Sequence, residues 1–226
     1  MGLYYSICTY VKSENLSKAL DWLNQNSWDL ESSIKPYDEV LKINGNFNNL
    51  EEDFQDKKTT INTFDSLSFT TNLIFDIDAK IVASLSNWGH ENDIDFVDDF
   101  KELFETLYLG KGKIRIGGFD STLSKLRHHN IYKFEFTACS SDMSAMLESS
   151  MSVKKWIIDF SKHANSILSG IDFEGDLRVL FYNGNPTLLM LKEEFNDDIP
   201  PSVQHDQKAY STYQYERLIE RIKLFS

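Results

Sequence analysis

The apolar positions of this chain fall into short alternating runs and longer runs of helical spacing. Residues 3–11 (LYYSICTYV) are β-branched and aromatic, without Gly or Pro, and predict a strand. Ser13 then offers a helix N-cap, and Leu16, Ala19, Leu20 and Leu23 follow at helical spacing. Asn24-Gln25-Asn26 ends that helix, and Pro36 blocks a continuing one. Residues 37–47 alternate moderately and predict a strand, with a turn at Asn44-Gly45-Asn46; residues 48–65 are polar and acidic and read as loop.

Residues 66–76 and 79–86 predict two strands, and the short Asp76-Ile77-Asp78 link makes them a hairpin. The helix expected at 92–109 has the clearest pattern. Asn92 caps it, and Asp93, Asp95, Asp98 and Asp99 load its positive end with negative charge. Phe96, Phe100, Leu103, Phe104, Leu107 and Tyr108 form one apolar face, and Gly110 serves as the C-terminal cap.

Strands are expected at 113–118 and 131–139, then a short helix capped by Asp142 or Ser144. A longer helix is expected from 151 to about 168, on Val153, Trp156, Ile157, Phe160, Ala164, Ile167 and Leu168. Strands at 176–182 and 187–192 flank Asn183-Gly184-Asn185-Pro186, a hairpin signal. Pro200-Pro201 marks a break, and residues 208–224 predict a last amphipathic helix. Paired strands with helices between them define an α+β protein with mostly antiparallel sheet. No linker rich in Pro, Gly or Ser interrupts the chain, so a single compact domain over 1–226 is expected. The element order also admits two ferredoxin-like β-α-β-β halves, 1–110 and 111–226.

Composition narrows the function. The 226 residues include 16 Phe, 10 Tyr and 4 Trp, which excludes a chain that stays solvated. Two cysteines, Cys8 and Cys139, cannot make a disulfide framework; both sit in apolar runs and read as buried thiols in a reducing cytosol. A single Cys8–Cys139 bridge would need an exported chain, and no secretory signal is seen. The Met1–Ser6 match to a myristoylation pattern falls on a strand, and the Asn15-Leu16-Ser17 sequon falls on a helix, so both are discounted. No apolar run is long enough to span a bilayer.

Lys plus Arg number 23 against 35 Asp plus Glu, a net charge of −12. Such a chain repels phosphate backbones, so nucleic-acid binding is not expected; the basic stretches at 111–115 and 125–129 are small. The same charge suits attraction to a basic protein.

Candidate chemistry is sparse. His90 to Asp95 is the best cluster of hard metal ligands, although it lacks the glycine and closing glutamate of a calcium loop. Adjacent His128 and His129 point to opposite faces of a strand, and no His-x-x-x-His or Cys-x-x-Cys pair exists. Gly110, Gly112, Gly117 and Gly118 follow a helix and precede a strand, the reverse of a phosphate-binding loop. Cys8 or Cys139 with a histidine is the only thiol–imidazole option. Tyr4, Tyr10, Trp88, Tyr210, Tyr213 and Tyr215 are hard to place inside. Of these, Trp88 stands in an expected loop beside the acidic helix start.

These features describe a cytosolic, non-catalytic protein without cofactor or resident metal. Its acidic surface is expected to dock a basic protein partner. The most specific form is an immunity protein that neutralises a bacterial toxin by covering its active site. The expected contact set is Trp88, Asp93, Asp95, Asp98 and Asp99. The alternatives are a metal-dependent hydrolase or nucleotide-handling enzyme using His90–Asp95, and a ferredoxin-like small-ligand sensor or structural subunit.

Overall fold

A computed structural model describes residues 4–27, 35–37, 40–42, 59–60, 66–91, 104–192, 203 and 207–224. The architecture is α+β. An eight-stranded sheet contains β1 (Ser6–Lys12), β5 (Ser66–Asp76), β6 (Tyr108–Gly110), β7 (Lys113–Lys125), β8 (Ile131–Thr137), β9 (Leu168–Phe173), β10 (Asp176–Tyr182) and β11 (Asn185–Leu191). The order is β11-β10-β9-β1-β8-β7-β5, with β6 beside β7, and every pairing is antiparallel. A separate small sheet joins β2 (Lys35–Tyr37), β3 (Val40–Lys42) and β4 (Thr59–Thr60). The helices are α1 (Leu16–Asn26), α2 (Ala79–Glu91), α3 (Ser141–Ser149), α4 (Met151–His163) and α5 (Gln207–Lys223), with a helical turn at 104–107.

One ferredoxin-like β-α-β-β-α-β unit is present among the described residues, not two. It runs β1–α1–β7–β8–α4–β9, and its strands lie in the order β9-β1-β8-β7. Strands from both sides of residue 110 therefore interleave. The β-α-β-β order seen twice in the sequence misleads because β8 pairs with β1, over a hundred positions away, rather than closing a local unit.

Alternation along the strands sends residues to two cores. Ile7 and Val11 of β1 join Tyr132, Phe134 and Phe136 of β8 on the face covered by α1 and α4. There Trp156 and Phe160 of α4 meet Trp22 of α1 at ring separations of 5.1 and 5.2 Å. Cys8 and Tyr10 face the other way, with Leu168, Leu177, Val179 and Leu191, under α5. Tyr10 packs on Tyr215 of α5 at 5.0 Å, so both tyrosines belong to a core and not to the surface. Tyr4 is exposed, and Tyr210 and Tyr213 are half-buried.

Several expected boundaries move. Residues 79–86 belong to α2 rather than to a hairpin strand. Ile81 and Val82 have strand-like side chains, but Asp78 accepts from the amides of Lys80 and Ile81 and starts a helix. The strand expected at 113–118 runs on to Lys125; Gly117 and Gly118 form a bulge opposite β5, with Gly118 at φ +81°. The long helix stops at His163, because Asn165 takes a left-handed φ of 46°. Leu168 then starts β9 instead of continuing the apolar stripe. Ser140, not Asp142 or Ser144, caps α3 by accepting from the Met143 amide at 3.2 Å. The first helix starts at Leu16 after a short 3-10 turn, and Ser13 makes no cap bond. Of the helix expected at 92–109, residues 92–103 lie outside the described residues. The helical turn ends at Leu107, and Gly110 ends β6 in a hairpin turn instead of capping a helix.

Candidate functional site

The expected contact set divides. Trp88 lies in the last part of α2 rather than in a loop, one turn after Ser84. Asp93, Asp95, Asp98 and Asp99 lie outside the described residues, as do Asn92 to Asp95 of the metal-ligand cluster; His90 and Glu91 end α2. The structure does, however, describe what stands on both sides of this acidic stretch in the chain. Ser84 and Leu85 of α2 precede it, Leu107 follows it, and all three line one cleft.

That cleft has a volume of about 280 Å³ and is predominantly apolar. Its floor is the bulge of β7, where Ile116, Gly117 and Gly118 leave the sheet surface low. Its far wall is α3, which packs against α2. Ser140 fixes the start of α3, Met146 and Leu147 anchor it in the core, and Met143 and Met146 present their side chains to the cleft. Cys139 stands at the rim, exposed and free, and its thiol donates to the Gly118 carbonyl. Burial of the sulfur pushes the Cys139 thiol up, so it is a poor nucleophile at neutral pH. Asp142 is the one charged residue among the described residues of the lining, and Asp120 lies against Cys139 just beyond it.

A second polar cluster sits on the α5 side of the sheet. Lys133 is 6% exposed, and its Nζ lies 3.1 Å from Glu135 Oε1. Register places Lys133 beside Tyr10, Glu135 beside Cys8, and Thr137 beside Ser6, whose hydroxyl is 2.9 Å from that of Thr137. Across β1, Ser6 pairs with Asp172 of β9. Burial works against the Lys133 ammonium, yet its titratable neighbours Cys8, Tyr10 and Glu135 hold its pKa above the ordinary lysine value. Burial also raises Asp172 and pushes the Cys8 thiol well up. A protonated, buried thiol hydrogen-bonded to a carboxylate at 3.6 Å is suited to packing, not to attack.

The other expected chemistry does not assemble among the described residues. Cys8 is buried and Cys139 exposed, both free, so no bridge joins them. His129 is engaged by Glu216 at 2.8 Å, and His163 by the Asp159 carbonyl at 2.8 Å. No group of three or more His, Cys, Asp or Glu that could hold a metal occurs among the described residues, and none of their helices is long and apolar enough to cross a membrane. Comparison with protein-family models, curated proteins and solved structures finds no match to this chain.

Sequence reading misses the cleft for a physical reason. Its lining comes from α2, the turn at 104–107, the β7 bulge and α3, and only folding brings these together. Gly117-Gly118 in a run of β-branched and aromatic residues is the one local signal of a bulge that lowers the sheet surface.

Proposed function

We propose that this chain is a binding protein that docks a basic protein, most specifically an immunity protein that neutralises a bacterial toxin by covering its active site. It needs no chemistry of its own; it acts by steric block and charge complementarity. The observation that carries this reading is the open apolar cleft, walled by the two segments that flank the acidic stretch Glu91–Asp99 in the chain. An apolar depression with Asp142 in its lining and Asp120 just beyond has the usual make-up of an interface centre with a charged rim. The net charge of −12 adds long-range attraction for a basic partner.

The test is capture of the partner from host lysate, followed by titration of the purified pair. Affinity is expected to fall with rising salt. Replacing Asp93, Asp95, Asp98 and Asp99 together by Lys is expected to weaken binding by roughly a hundredfold, mainly through slower association. Trp88→Ala is expected to cost about tenfold or more. Binding that is indifferent to salt and to both changes overturns the reading. So does a folded protein that retains no partner at low salt.

A further inference from the structure

The cleft is more specific than a docking surface. An enclosed apolar cavity of about 150 Å³ already accepts benzene. A cleft of about 280 Å³ therefore takes one aromatic ring or a branched aliphatic group whole. Met143, Met146 and the Cys139 sulfur line it, and such soft, adaptable groups make favourable contacts with ring edges. Gly118 of the β7 bulge leaves open space, since a Cβ there would meet no atom within 4 Å, while Asn72 fills the space beside Gly117. Charge sets the other half of the specificity. Asp142 is the charged member of the lining, Asp120 stands against Cys139, and no Lys or Arg is among the described lining residues. A cation at the mouth is paired there, whereas an anion meets two carboxylates.

We infer that this cleft is the anchor pocket for an apolar side chain of the basic partner, one carried next to a lysine or arginine. The inference rests on the protein-binding reading above and names what the partner inserts. Anchors of this type, seated in a preformed pocket and ringed by charge, dominate the energetics of an interface.

The experiment uses the full chain with carbon-13-labelled methionine methyls. The sequence has five methionines, so the spectrum is simple, and Met151 and Met190, which do not line the cleft, are internal controls. The probes are phenethylamine and phenylacetate, which share a ring and differ in the sign of their charge. Phenethylamine is expected to shift Met143 and Met146 saturably, and phenylacetate to shift them much less. Ser84→Phe, which fills the cleft from α2, is expected to abolish the shifts, and Asp142→Asn to narrow the difference between the probes. With the captured partner, Ser84→Phe is expected to lower affinity by roughly tenfold or more.

No shift with either probe overturns the inference, as do equal shifts with both or shifts spread over Met151 and Met190. Amine binding together with undiminished partner affinity in Ser84→Phe also overturns it, and makes the cleft a small-molecule site. In that case the protein-binding reading survives. If no partner is captured, that reading fails with it, and a positive amine result again assigns the cleft to a free ligand.

Discussion

Lys133→Met is expected to destabilise the protein by about 3 kcal/mol, near the lower end of the cost of breaking a buried ion pair. Lys133 stands near the middle of the sheet, on β8 opposite Tyr10, with its side chain 8% exposed. Its ammonium is the cation that faces Glu135 at 3.1 Å and attracts Asp172. Methionine fills the same space, so little packing is lost. What is lost is the charge that offsets the part-buried carboxylates of Glu135 and Asp172. Chemical denaturation of wild type and variant reads the difference. The double variant Lys133→Met, Glu135→Leu is expected to recover part of the loss, because it removes one of the two carboxylates left without their cation while Asp172 remains. If the double variant is no more stable than the single one, the unpaired Glu135 carboxylate is not the source of the loss.

The pH dependence separates charge from packing. Burial already raises Asp172, while Lys133 pulls it down. Without Lys133 it rises higher, so the folded variant binds a proton that the unfolded chain releases. Stability then falls as pH rises through the folded value. Relative to wild type, the variant is expected to be at its best in acid, below the ordinary aspartate value of 3.8, and at its worst at neutrality, by the same linkage.

Why a lysine occupies this strand position was not legible in the sequence. Ile131 to Thr137 reads IYKFEFT, and alternation correctly places Tyr132, Phe134 and Phe136 on one face. By the same rule Lys133 and Glu135 belong on a solvated face. The opposite face, however, carries a second core: Cys8, Tyr10, Leu168 and Tyr215 under α5. Which strands lie beside β8 decides whether its polar side is wet, and that is a matter of topology. The hairpin of β10 and β11 was readable because Asn183-Gly184 encodes its turn locally. The pairing of β1 between β8 and β9 was not, since no local signal reaches across more than a hundred residues. The site behaves likewise. Trp88 was legible as an aromatic beside an acidic run, but the cleft is assembled from four separate stretches of chain.

The second large effect is expected at Asp78, which the sequence presents as part of a hairpin link. Its Oδ1 accepts from the amides of Lys80 and Ile81 at 3.0 and 2.9 Å, and so starts α2. Its Oδ2 accepts from the Ser150 hydroxyl at 2.7 Å and the Ser152 amide at 3.0 Å, at the start of α4. Ser150 in turn accepts from the Val153 amide at 3.1 Å. One carboxylate thus serves the positive ends of two helices and ties the wall of the cleft to the helix that builds the main core. Asp78→Ala is expected to cost about 2 kcal/mol, on the order of two lost caps. Asp78→Asn keeps one acceptor oxygen and is expected to cost about half as much. Burial pushes the carboxyl up, but the hydrogen bonds from Ser150, Ile81, Ser152 and Lys80 together outweigh it and hold it at about 2, below the ordinary 3.8. The folded state therefore binds this proton less readily than the unfolded chain does. The contribution is full above about pH 4 and is lost as pH falls through about 2. Acid titration of stability is expected to show wild type losing its advantage over Asp78→Asn across that window. A gap between the two that stays constant down to pH 2 would mean that the carboxylate charge plays no part, and that Asp78 acts only through its shape.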